Sequence, residues 1–427
     1  MQIHVVRPGE TLYSIARQYG VSVTLLGRLN QVPGGGALAV GQTLVVYEPE
    51  RVHVVRPGET LEGIARREGG SVLSLYQNNY FLGGRSRILP DEELIVALKG
   101  EKSGTLGVNG YAYTFIRQEQ LRTVLPYITY LTPFTYGVTS QGGLVVPDDG
   151  PLLAAAPQYG AQLWMHLSTL TDSGSFNSRL GGALLENETA QKALIDAVAA
   201  NMAEKGYQGL DVDFEYLEGR QAAAYTAFID ALRQRLNPLG WPVIVALAPK
   251  SSAEQRGLLY EAHDYAALSH AANAVLLMTY EWGYTAGPPM AVAPLPQVRR
   301  VLDYALTEMA PEKIFLGVPT YGYDWPLPFR QGITRAPSLS PQEALALARR
   351  YGAEIQYDET AQSPWFRYTA ETGTVHEVWF EDARSSLAKL RLAADNGLQG
   401  VGLWNLMRDA PQTYLVLNGA FQVEKLA

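Results

Sequence analysis

The amino-acid sequence predicts an α/β protein: a (β/α)8 TIM barrel with an α+β insertion, preceded by two small β-α-α-β domains. Three observations carry this. The nine-residue string HVVRPGETL occurs at residues 4–12 and again at 53–61. Short apolar runs then alternate with helical patterns over about 320 residues, the rhythm of a barrel with insertions. One of those runs, QGLDVDFEYL at 208–217, sets Asp211, Asp213 and Glu215 at alternate positions in a chain that is only 18% charged.

The 427 residues exceed one ordinary domain, and 47% apolar content fills several cores. The divisions expected are 2–48, 51–97 and 105–427. A net charge of -8 and a pI near 5.4 oppose a phosphate-tracking surface, so nucleic acid is not an expected partner. The absence of cysteine excludes disulfides, zinc-thiolate sites and a thiol nucleophile. The opening MQIHVVRPGE has neither the basic nor the apolar region of a classical signal peptide, so none is expected. No membrane span is expected either, because no run of 18 apolar residues goes uninterrupted. Nothing requires more than a monomer.

Each repeat has one grammar. A β-rich run (3–6; 52–55) meets a Pro-Gly turn, and Leu12, Ile15, Ala16 and Tyr19 then mark one buried helical face. A second short helix precedes a closing strand (43–46; 93–96). The repeats resemble LysM modules in their opening strand, their PG-[ED]-[ST]-L turn, an Asn near the end of the second helix and a vGq-L-x-v closing strand. In the first copy these are Pro8, Gly9, Glu10, Thr11 and Leu12, then Asn30, then VGQTLVV from Val40. In the second they are Pro57 to Leu61, then Asn78 or Asn79, then LPDEELIV from Leu89, with Asp91 and Glu92 replacing Gly-Gln. The resemblance implies binding of N-acetylglucosamine-containing glycans such as peptidoglycan or chitin; a spacer or protein-contact role is the alternative.

After Ala97, LKGEKSGTLG reads as a linker. Candidate barrel strands follow at 110–113, 128–134, 162–167, 209–215, 243–247, 274–280, 314–320 and 400–404. Helical patterns fill the connections at 187–205, with Asn187 as N-cap and Gly206 as stop, and at 221–236 and 297–308. A doubly wound open sheet is the alternative. In a barrel, chemistry sits at the C-terminal strand ends, which places Glu215 at the mouth and Asp211 deepest. The seventh strand is expected to end in TYGYDW and the eighth in LWN, surrounding the mouth with aromatic faces suited to sugar rings.

Alternate side chains of a strand share one face at steps of about 6.8 Å. Three carboxylates so placed repel, which raises at least one pKa and supplies the held proton of a general acid. Glu215, outermost, is the best placed donor. Clustered acids also hold Mg2+ or Mn2+, but such sites draw ligands from several strands, and no partner cluster is evident. The six histidines form neither HExxH nor HxH. An acidic solvated edge strand fits poorly, since Leu210, Val212 and Phe214 make the opposite face apolar. The residues therefore favour glycoside chemistry.

GLDVDFE resembles the DG-x-D-x-D-x-E signature of family 18 glycoside hydrolases, with Asp211, Asp213 and Glu215 as its last three acids, Gln208 replacing the first, and Phe214 where Trp is common. LMTYEW resembles the M-x-Y-[DN] element through Met278 and Tyr280, with Glu281 in the acid position, and GLWN resembles the last strand with its subsite-floor Trp404. The resemblance implies substrate-assisted retention, an exception to the two-carboxylate scheme, which needs no metal or organic cofactor. By it Glu215 is the acid and later the base, Asp213 orients the substrate acetamido group, Tyr280 bonds its oxygen, and Asp211 tunes Asp213. Trp282, Tyr321 and Tyr323 are further candidates for the groove, with Gln208 removing a charge below the site. EAHDY, MTYEWG, GPPMAVAP, YGYDWPLPF and HEVWFEDARS resemble the spore cortex-lytic N-acetylglucosaminidases. That resemblance implies cortex peptidoglycan carrying muramic-δ-lactam as substrate, and a place in the coat and cortex region of the spore. A chitinase and a non-catalytic glycan-binding coat protein are the alternatives.

Overall fold

The computed structural model describes residues 1–33, 36–169 and 177–426. Shared residues cap both front repeats. Thr11 and Thr60 accept the backbone N–H of Ser14 and Gly63 at the start of helices Leu12–Tyr19 and Leu61–Glu68, and Gly20 and Gly69 end them at φ 67° and 73°. Second helices, Val23–Leu29 and Val72–Asn78, lead to an asparagine that bonds the closing strand both ways. Asn30 accepts from Val45 N–H at 2.7 Å and donates to its carbonyl at 2.9 Å; Asn79 does the same to Ile95 at 2.8 and 2.9 Å. Of the two candidates, Asn79 is therefore the counterpart of Asn30. Gln2–Val5 pairs antiparallel with Thr43–Val46, and Pro49–Val54 with Glu93–Leu98.

The departure at Asp91 and Glu92 keeps this loop intact. Asp91 adopts φ 67° where Gly41 has 81°. Glu92 accepts the Leu89 N–H at 3.0 Å as Gln42 accepts that of Ala39 at 3.2 Å.

Eight parallel strands then close a barrel: β1 (Thr105–Tyr113), β2 (Tyr130–Phe134), β3 (Gln162–Ser168), β4 (Gly209–Asp213), β5 (Val243–Leu247), β6 (Ala274–Leu277), β7 (Ile314–Pro319) and β8 (Gly400–Trp404). The seam runs from Gly400 opposite Gly107 to Leu403 opposite Gly110. Its first pair is glycine on both strands because a Cβ on Gly400 would stand 1.9 Å from the Gly107 carbonyl oxygen. Tyr130, Trp164 and Phe315 fill the N-terminal half of the interior, the first two rings stacked at 3.8 Å. Helix Glu188–Lys205 starts at Asn187 and stops at Gly206, as its sequence signals require.

Several boundaries differ from expectation. β1 starts at Thr105, so the linker is shorter than the polar composition suggested. β4 stops at Asp213 and β6 at Leu277, because the strands part at the barrel mouth and their ladders end. TYGYDW does not end β7; Gly322–Pro326 is the first strand of the insertion. There it lies in an antiparallel sheet ordered Ser338–Leu339, Gly322–Pro326, Val375–Trp379, Ser363–Thr369, Gln356–Asp358, with helix Pro341–Tyr351 beside it. This is the α+β insertion.

The front repeats are docked on the barrel. Leu25, Leu29, Val45, Tyr47, Tyr80 and Ile95 share its hydrophobic core. Thr43 and Gln412 exchange two hydrogen bonds of 2.6 Å, and the Tyr47 hydroxyl donates to the Leu415 carbonyl at 2.7 Å. Gln77 donates to the Pro126 carbonyl at 2.8 Å, and Arg28 joins the two repeats through Glu92 at 2.5 Å. The insertion grips the first repeat where the Ile355 N–H donates to the Val40 carbonyl at 2.9 Å.

That last contact needs a glycine. At Gly41, φ is +81° and a Cβ would stand 1.9 Å from the Ile355 carbonyl oxygen. Gly41→Ala is expected to cost about 1–3 kcal/mol of local stability and to release the Ile355 amide to hydrogen exchange, with β5 unaffected. Unchanged protection at Ile355 would mean that the repeat is not held this way.

Candidate active site

β4 builds the site by alternation. Leu210 and Val212 face the surrounding helices, while Asp211 and Asp213 face the interior above the aromatic filling. Asp211 is fully buried, and its Oδ2 accepts the Tyr111 hydroxyl at 2.5 Å. Behind it Asn109 donates to the Tyr111 oxygen at 3.0 Å and accepts from Thr132 at 2.7 Å. The Oδ1 atoms of Asp211 and Asp213 are buried without a hydrogen-bond partner. His166 Nε2 lies 3.8 Å from Asp213 Oδ2, and Thr135 Oγ1 lies 2.7 Å from His166 Nδ1. Burial takes the His166 imidazole down to about 3, so it supplies no positive charge.

Burial also raises the pKa of the acids. It lifts Asp211 to about 7 against the opposing bonds from Tyr111 and Asn109. Asp213 rises well above its usual range, first through burial and then through repulsion by Glu215 and Asp211. Glu215, just past the strand end, is raised to about 7 by burial. Groups coupled this closely give up protons as a set.

Asp213 and Glu215 open into a cleft of about 660 Å3. Trp404 stands at one side, its ring 4.9 Å from Phe134 edge-on and 6.4 Å from Tyr280 in a near-parallel pair. Met278, Glu281 and Trp282 line the β6 side, and Tyr216, Leu259 and Tyr260 the wall beyond Glu215. Asp211 lies beneath. Glu281 sits at φ 67°, open to the cleft, and its carboxylate accepts the hydroxyls of Tyr321 and, at 2.9 Å, Tyr323. Those two tyrosines are buried behind Glu281 and do not line the wall, because they belong to the start of the insertion. Gln208 lies at the other end of β4, exposed, accepting the Leu163 N–H at 3.0 Å.

Sequence reasoning missed Tyr111, Asn109, His166, Tyr216 and Tyr260. The first three sit at alternating positions of β1 and β3, where inward-facing polar residues in apolar strands were the available signal. No described group of three or more His, Asp or Glu is arranged to hold a metal ion.

The family described as glycosyl hydrolases family 18 matches residues 171–409, and the LysM domain matches 4–46 and 53–97. The chain is 42% identical over its whole length to the cortical fragment-lytic enzyme of Bacillus subtilis (strain 168), covering 99% of it. It is 36% identical to the enzyme of that name from Bacillus cereus, with 100% and 99% of the two chains covered. Its structure is similar to the spore cortex-lytic enzyme SleL of Bacillus megaterium QM B1551, with a TM-score of 0.85, 35% identity, and 100% and 99% coverage. It is also similar to a chitinase of Chromobacterium violaceum ATCC 12472, with a TM-score of 0.68 and 26% identity over 74% of this chain and 98% of that one.

The raised acids make stability depend on pH. A folded chain that holds a proton more tightly than the unfolded one is most favoured below the unfolded value and loses that advantage as pH rises through the folded value. For Glu215 the window runs from 4.5 to about 7. Glu215→Gln is therefore expected to be more stable than wild type by about 1–3 kcal/mol at pH 8, with the difference closing toward pH 4. Thermal melts across this range test it; equal melting at pH 8 would mean that the fold does not hold the Glu215 proton.

Proposed function

The chain belongs to the family 18 glycosyl hydrolases, alongside the cortical fragment-lytic enzymes, and from that premise we propose that it hydrolyses spore cortex peptidoglycan or its fragments on the reducing side of N-acetylglucosamine. It acts as a retaining, substrate-assisted N-acetylglucosaminidase. Residues 2–48 and 51–97 are its glycan-binding modules and 105–427 its catalytic barrel, working as a monomer in the coat and cortex region of a bacterial spore.

The observation that carries this reading is the stack of carboxylates, buried Asp211 beneath Asp213 with Glu215 at the rim, opening beside Tyr280 and Trp404. Glu215 gives its proton to the glycosidic oxygen as the bond to the anomeric carbon breaks. The acetamido carbonyl oxygen of the same sugar attacks that carbon, forming an oxazolinium ring. Asp213 accepts the acetamido N–H and Tyr280 donates to its oxygen. Water then attacks the anomeric carbon, the oxazolinium C–O bond breaks, and Glu215 takes the water proton. Two inversions leave the configuration retained. Support for Tyr280 in this role is that no described residue hydrogen-bonds its hydroxyl; Trp404 offers an apolar ring face to the sugar.

Mass spectrometry of products from cortex fragments is the test. Wild type is expected to release oligosaccharides ending in reducing N-acetylglucosamine, and Glu215→Gln to lose about 10²–10⁴-fold in kcat while still sedimenting with the glycan. Products ending in reducing muramic acid, or release only from chitin oligomers, would overturn the assignment.

A further inference from the structure

We infer that His263 is a positioning residue for Glu215: its imidazole bridges β4 and β5 where they part, and fixes the backbone between Asp213 and Glu215. The inference rests on Glu215 acting as the acid.

The ladder between the two strands pairs Leu210 with Val243, Asp211 with Ile244 and Val212 with Val245, and goes no further. The Phe214 carbonyl, just beyond, has left its strand partner behind. His263, 1% exposed, fills the gap. Its Nδ1 accepts the Ala248 N–H at 2.8 Å, and its Nε2 lies 3.2 Å from the Phe214 oxygen. A backbone N–H only donates, so Nδ1 carries no proton; in the neutral ring the proton is then on Nε2, aimed at the carbonyl. Both bonds exist together in this tautomer alone. An imidazolium would press one N–H against another, which adds to the burial that takes the ring down to about 4.

The bridge is held from behind. Lys250 Nζ donates to the His263 carbonyl at 3.1 Å, and the Tyr265 hydroxyl donates to the Ala248 carbonyl at 2.6 Å while accepting the Lys250 N–H at 3.0 Å. The Phe214 ring stacks on Tyr225, 5.8 Å away at 7°, and the same Tyr225 ring lies 6.0 Å from the His263 ring. Phe214 is thus pinned by both its ring and its carbonyl, and its two neighbours in the chain are Asp213 and Glu215. His263 does not line the cleft, so its effect on the reaction passes through this backbone.

Steady-state kinetics of His263→Leu and His263→Gln in the full chain test the idea, since the Gln amide both accepts and donates. Each is assayed below its own melting temperature. His263→Leu is expected to lower kcat by about 10–100-fold with KM within about threefold, a loss typical of a displaced catalytic group, and His263→Gln to recover most of it. Equal losses in both variants, or a change confined to KM, would overturn the inference. Should wild type cleave nothing, the reading of Glu215 falls separately, and 13C-NMR titration of the Glu215 carboxyl decides the positioning. A titration moved by Leu and restored by Gln supports it; one that neither variant moves rejects it.

Discussion

Two aspartates stand on an aromatic filling inside a closed barrel, and the burial of Asp211 beneath Asp213 governs the chemistry of the mouth. Tyr130, Trp164 and Phe315 occupy the volume below them. Asp211 keeps one strong hydrogen bond, from Tyr111, while two carboxylate oxygens are buried with none. Ionising both acids there would cost several kcal/mol each before their mutual repulsion is added, so the fold stabilises the protonated state. A barrel that leaked water at its base would lose this. The pairing of β8 with β1, where Gly400 lies against the Gly107 carbonyl, completes the wall around the two acids.

The mouth is equally economical with positive charge. Its two nearest histidines, His166 and His263, are buried and neutral, and no lysine or arginine is among the described residues that line the cleft. A cation beside Glu215 would pull its pKa back toward the ordinary range and release the proton before a substrate arrived. Packing, hydrogen-bond placement and electrostatics therefore favour one protonation pattern, at a cost in stability that the large apolar core offsets.

Sequence patterns exposed what depends on short separations. The repeated string, the caps at Asn187 and Gly206, and the alternation at Asp211 and Asp213 are local signals, and local geometry followed them. Where β4 stops was not legible, because the end depends on where neighbouring strands part at the barrel mouth, and the Phe214 carbonyl there meets His263, almost fifty residues away in the chain. Tyr321 and Tyr323 looked like groove residues since strand period places them near a mouth; the insertion turns them inward onto Glu281. The link from Thr132 through Asn109 and Tyr111 to Asp211 crosses three strands, and only barrel register brings it together. Docking of the repeats was the least legible, for Thr43 and Gln412 lie at opposite ends of the chain.

That docking changes how two footholds on one polymer combine. Modules on loose tethers search a volume, and their gain over single binding follows the tether's length and flexibility. Here the tether is bypassed by side-chain bonds and a shared core, so each module meets the cleft along one fixed vector. For a glycan held by a docked module, the effective concentration at the cleft is set by that fixed separation and not by the length of a tether. Rigid docking makes the distance from module to cleft a property of the fold.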